Sequence, residues 1–125
     1  MVEVITSKIK SLPSEINRLL PYAACIGNRF DRIILRKITG ESEETVSHFI
    51  RESVQKGFIV PVGSGYLFSH DRVYQASYSL LPHTKRQKIH KVISDYYLQN
   101  SSEREIRENI FEIIRHISLS EKTVT

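Results

Sequence analysis

Phe58-Ile59-Val60-Pro61-Val62-Gly63-Ser64-Gly65-Tyr66-Leu67-Phe68-Ser69-His70-Asp71 is the stretch that decides the fold. Two strand-like runs flank Gly63-Ser64-Gly65, which predicts a β-hairpin. Pro61 cannot donate to a ladder, so the first strand is confined to an edge or a bulge. The second strand runs straight into a helix. Asp71 is its expected N-cap, and the helix extends to about Leu81, before Pro82. The join carries an adjacent His-Asp pair. At a helix start, free backbone N–H groups and the dipole favour an anion. A hydrogen bond from His70 to a phosphate there is worth about 1.5–3 kcal/mol.

Upstream of the hairpin the apolar residues recur at helical spacing. Val4, Ile5, Ile9 and Leu12 predict an opening helix that Pro13 ends. Ser14 is the expected cap of a second helix with Ile16, Leu19, Leu20, Ala23 and Ala24 on its apolar face. Pro21 should kink it, and Gly27-Asn28 stops it. Asp31 caps a short third helix carrying Ile33, Ile34, Leu35 and Ile38. After Thr39-Gly40-Glu41, Ser42 caps a fourth, with Val46, Phe49, Ile50 and Val54 as its stripe and Gly57 at its end. Two helices joined by a Gly-bearing turn read as a helix-turn-helix. A hairpin directly after it makes a winged helix, expected over 1–82.

Downstream, 83–125 reads as a helical pair. Thr84 is the expected cap of the first helix, with Ile89, Val92, Ile93, Tyr96 and Tyr97 on one face. Ser102 and Glu105 form a capping box that starts the last helix. Its stripe is Ile106, Ile110, Ile113, Ile114 and Ile117. An antiparallel pair of this kind is the unit of helical repeat arrays. With no internal repeat, it is at most the first such unit. The fold class expected is therefore mostly α: a winged helix followed by a helical pair.

The bounds agree with that class. The chain has 125 residues, 40% hydrophobic and 26% charged, as in a soluble globular protein. No apolar run approaches the ~20 residues of a membrane helix, and the N-terminus is no secretory signal. Entry into a helix at Met1-Val2-Glu3 without a lead-in reads as a cut through a longer protein. A single Cys25 in an apolar helical face predicts an inert thiol and a reducing, cytoplasmic setting. The net charge of +4 permits an anionic partner without demanding one.

Several chemistries lack their residues. Gly63-Ser64-Gly65 is a turn and not a phosphate loop, because no Lys follows and no helix opens on it. The chain alone is not expected to hydrolyse nucleotides. His48, His70, His83, His90 and His116 show no metal spacing and read as surface or capping histidines, and no nucleophilic triad can be assembled. Duplex DNA is disfavoured as a partner. The helix expected in the groove, 42–56, has a tip reading Glu41-Ser42-Glu43-Glu44. Over 41–56 four Glu oppose Arg51 and Lys56, a net −2, against closely spaced phosphates. Arg29, Arg32, Arg36 and Lys37, and later Lys85, Arg86, Lys88 and Lys91, read as solvated helix faces.

An ordered set of residues resembles one family: Leu12-Pro13, Ala23-Ala24-Cys25-Ile26-Gly27, Phe30-Asp31, Gly57-Phe58-Ile59, Phe68-Ser69-His70-Asp71-Arg72-Val73, Ala76, Tyr78 to Pro82, and His90. Together they are similar to the winged-helix region of signal-transduction ATPases with numerous domains, the AAA-related STAND class. In particular they are similar to the segment after the ATPase domain in bacterial predicted-ATPase regulators, which are often fused to kinase modules. The likeness covers nearly the whole chain. In related STAND proteins a Met-His-Asp motif stands here, and its His contacts the phosphate of bound ADP and holds the inactive state. The resemblance implies that His70 plays that part and that Asp71 orders the helix start. It further implies ATP or ADP in a neighbouring nucleotide-binding domain of a parent protein, and no cofactor in this chain by itself. Ser69 departs from the motif's Met, which weakens packing beneath it. Pro21 departs in a helix that is normally unbroken. The alternatives are a DNA-binding winged-helix regulator, and a protein-interaction module whose last two helices supply the docking surface.

Overall fold

A computed structural model describes residues 7–10 and 12–121. The expected helix positions Val4 and Ile5 lie outside the described residues, whereas Ile9 and Leu12 are buried. The elements in chain order are α1 (Ser14–Ile26), β1 (Arg29–Phe30), α2 (Arg32–Thr39), α3 (Glu43–Gln55), β2 (Ile59–Val62), β3 (Gly65–Phe68), α4 (Asp71–Tyr78), α5 (His83–Asn100), α6 (Glu103–Glu108) and α7 (Ile110–Ser120). The described chain is mostly helical with one small antiparallel sheet, and it divides into two compact units, Met1–Leu81 and Pro82–Thr125. No helix among the described residues is long and apolar enough to cross a membrane.

In the first unit α1 is the central element and packs against α2, α3, α4 and β1. It earns that place by being apolar on almost every side: Leu19, Leu20, Ala23, Ala24 and Cys25 are fully buried. Pro21 lies inside α1, and the helix is nonetheless continuous from Ser14 to Ile26. The packing around it outweighs the one backbone bond that Pro21 removes.

Local chemistry sets most of the helix ends. Asp31 accepts the Ile34 N–H at 2.8 Å, and Ser42 accepts the Thr45 N–H at 3.1 Å. Gly57, at φ +77°, takes the left-handed turn after α3. Three expected caps are corrected. The N-caps of α1, α4 and α5 are Pro13, His70 and Pro82, not Ser14, Asp71 and Thr84, and none makes a side-chain cap bond. Pro13 and Pro82 have φ near −60° with extended ψ, so the ring already presets the residue before the helix, and winding starts sooner than hydroxyl chemistry implied.

The hairpin of β2 and β3 forms as expected, with Val62 opposite Gly65 and Ile59 opposite Phe68. Pro61 is on β2, which is an edge of the sheet. The sheet gains a third strand that sequence reading did not contain. β1 pairs antiparallel with β3, Arg29 opposite Leu67 and Phe30 opposite Tyr66, giving the order β1-β3-β2. Phe30 is buried, and its ring lies 5.8 Å from that of Tyr66 and 5.6 Å from that of Phe68. Two positions in the expected stripes are exposed instead. Ile33 is 60% exposed, and Val54 leaves the α3 interface to Ser53.

In the second unit α5 and α7 run antiparallel, and Gln87 Nε2 donates to the Glu121 carbonyl at 2.8 Å. The capping box is present. Ser102 Oγ accepts the Glu105 N–H at 3.2 Å, and Glu105 Oε1 accepts the Ser102 N–H at 2.9 Å. The Ser102 backbone N–H, and after it the Ser102 hydroxyl, hold the Glu105 carboxyl below its ordinary value. The expected last helix is broken at Asn109, whose φ of −107° and ψ of 17° separate α6 from α7. Asn109 donates its side-chain amide to the Glu105 carbonyl at 3.0 Å, a local bond that competes with the helical ladder. Within α7 the isoleucines divide between core and surface. Ile113 is buried, while Ile110, Ile114 and Ile117 are exposed, and on α5 Val92 is half-exposed.

Candidate functional site at the strand-to-helix join

The join between β3 and α4 is held from both sides. Phe68 and Val73 are in the core. The Phe68 N–H donates to the Asn28 carbonyl at 2.9 Å and the Ser69 N–H to the Phe58 carbonyl at 3.0 Å. The Tyr74 ring meets that of Phe68 edge-on at 5.5 Å and stacks with Tyr78 at 6.1 Å. Between these anchors the chain turns outward, and His70, Asp71 and Arg72 are all exposed.

His70 is the N-cap itself, in extended backbone, and its side chain makes no cap hydrogen bond. The first turn of α4 closes with the Tyr74 N–H on the His70 carbonyl at 3.1 Å. The N–H groups of the three residues before Tyr74 therefore have no intrahelical acceptor. Asp71 is the first helical residue and not the cap. Its carboxylate stabilises the dipole's positive end, and it would compete there with a bound anion. His70 and Arg72 flank it as the donors available to such an anion. Ser69 Oγ is buried without a hydrogen-bond partner among the described residues, so its hydroxyl carries a desolvation cost.

Two basic residues of α2 and one of α1 form ion pairs while staying partly exposed. Arg32 and Arg36 reach Glu43 at 3.2 and 3.1 Å, and Arg18 is paired with Glu41. Arg29 points its guanidinium at the Val62 carbonyl, 3.4 Å away. An open depression of about 310 Å³ is lined by Ile33, Arg36, Lys37, Gly40 and Glu41, and His70 is not part of it. Among the described residues no group of three or more His, Cys, Asp or Glu side chains could hold a metal ion.

The second unit holds a pair that sequence reading misplaced. His90 and His116 are not surface histidines: both are fully buried, and their Nδ1 atoms face each other at 2.8 Å. One ring must donate and the other accept. Burial holds His90 down at about 4, and the positive charges of Arg115 and Arg86 act in the same direction. The Glu112 carboxylate lies 3.9 Å from His116 Nε2, and the Tyr97 ring stacks on His116 at 6.3 Å. The available signal was spacing. His90 lies three residues before Ile93 and His116 three after Ile113, so each shares a helical face with a core isoleucine.

No family model matches the chain, and neither a curated protein nor a solved structure matches it.

Proposed function

We propose that the first unit is a winged helix and serves as the regulatory module of a multidomain STAND-type signalling ATPase. The element order supports the fold reading: helix, short strand, two helices joined by a tight turn, then a hairpin. The observation that carries the function is the exposed His70 ring at a helix start, between two anchored residues and with no side-chain cap bond to give up. A nucleotide-binding domain of the parent protein would present the phosphate of ADP to this ring. One charge-assisted bond of about 1.5–3 kcal/mol shifts a two-state equilibrium about tenfold to a hundredfold, which suits a latch rather than a catalyst. In this reading the chain is a cytoplasmic signal-transduction module, and any ATPase or kinase activity belongs to other domains. In the full-length protein His70→Ala should weaken ADP by that factor and favour the active form. ADP affinity unchanged by the substitution would overturn the latch.

A second reading is favoured by one specific observation. Phe111 is 85% exposed and Ile114 50%, beside exposed Ile110 and Ile117 on α7. This is a face for a protein partner, made of Phe111 and three isoleucines of the last helix's expected stripe. The DNA-binding alternative fares worse, because Glu43 occupies Arg32 and Arg36. A salt-dependent mobility shift with duplex DNA would reinstate it.

A further inference from the structure

We propose that the His90–His116 pair is an acid-sensitive clasp that holds α7 on α5 and releases it when a second proton enters the pair. The geometry allows few protonation states. With Nδ1 facing Nδ1 at 2.8 Å, the neutral pair shares a single hydrogen, one ring donating and the other accepting. A singly charged pair keeps that bond, since an imidazolium still donates to a neutral ring. A doubly charged pair sets two N–H groups against each other and loses it.

The surrounding charges decide which ring is which. Arg86 on α5 and Arg115 on α7 disfavour charge on His90. The Glu112 carboxylate on α7 is nearest to His116 Nε2, 3.9 Å away, and favours charge there. This assigns His116 as the donor and His90 as the acceptor. The Tyr97 ring closes the pair from α5. Both imidazoles are fully buried, so the proton that breaks the clasp enters only as the helices part. Among the described residues of this unit the buried aliphatic side chains are Ile89, Ile93 and Ile113, and the Gln87–Glu121 hydrogen bond adds a second polar tie between the helices.

The sign follows from the proton count. His90 binds its proton at about 4 when docked and at the ordinary 6.5 when released, so between those values the released form binds more protons. Docking is at full strength above about pH 6.5, weakens as pH falls, and stops weakening below about 4. Between pH 7 and 5 the undocking equilibrium should rise roughly twentyfold from His90 alone.

Amide hydrogen exchange of the full chain reads this directly, corrected for the intrinsic pH dependence of exchange. Protection of residues 110–120 should fall roughly twentyfold from pH 7 to 5, while that of 43–55 in the other unit stays constant. His90→Leu should remove the pH dependence. Equal wild-type protection of 110–120 at both pH values would overturn the clasp, as would His90→Leu that keeps the full dependence. Should the leucine variant fail to pack at pH 7, NMR titration of the wild-type imidazoles decides. His90 titrating below 5, with a concerted change at His116, supports the clasp, and His90 titrating near 6.5 refutes it.

Discussion

Gly65→Ala should destabilise the first unit out of proportion to the single methyl it adds. A Cβ at Gly65 would lie 2.9 Å from the Phe30 carbonyl oxygen, a backbone atom of β1. No rotamer change relieves that contact, so β1 and β3 must part by a few tenths of an ångström. The bonds of Phe30 opposite Tyr66 and the ring contacts of Phe30 are then strained together. Overpacking of this kind costs about 1–3 kcal/mol. For a unit of this size each kcal/mol lowers Tm by about 4–8 °C, so a loss of about 10 °C is expected. The assay is thermal unfolding of the full chain followed by circular dichroism, with exchange protection at 43–55 reporting the first unit. Ser64→Ala, one residue away in the turn, should change stability by no more than about 0.5 kcal/mol. The substitution also bears on the site, because β3 leads directly to His70. If Gly65→Ala melts within about 2 °C of the parent, the close approach of β1 to β3 is wrong.

The second unit offers a matched pair of tests: Ile113→Ala should cost about 2–5 kcal/mol of its stability, whereas Phe111→Ala, 85% exposed, should cost almost nothing in chemical denaturation. Asp31→Ala removes the bond to the Ile34 N–H and should lower the first unit's stability by about 1 kcal/mol, measured by urea midpoint at constant slope. Ser102→Ala deletes one of the two bonds that depress the Glu105 carboxyl, so NMR titration should find that group moved partway back up. Because the depressed carboxyl favours the capped form above its ordinary value, that contribution is lost as the solution becomes acid.

The join that carries His70 was legible because its parts are adjacent in the chain. A hairpin turn, an aromatic strand and a helix start follow one another within residues 63–74, and each is set by local chemistry. The partner reading of the last helix was legible only in outline. The isoleucines were visible, but Asn109 turns the chain between Ile106 and Ile110, and of the α7 isoleucines only Ile113 is buried, leaving Ile110, Ile114 and Ile117 exposed.

What the sequence determined by itself is the set of local agreements: the caps at Asp31 and Ser42, the box of Ser102 and Glu105, the turn at Gly57 and the hairpin. Each joins groups a few residues apart, so its energy is present in any conformation that forms the element. Only the tertiary structure decided that Arg29 and Phe30 are a strand, because two residues have no period and gain a ladder only when β3 lies beside them. It alone decided that His90 and His116 are interior, since each imidazole is polar until the other, 26 residues away, supplies its hydrogen-bond partner.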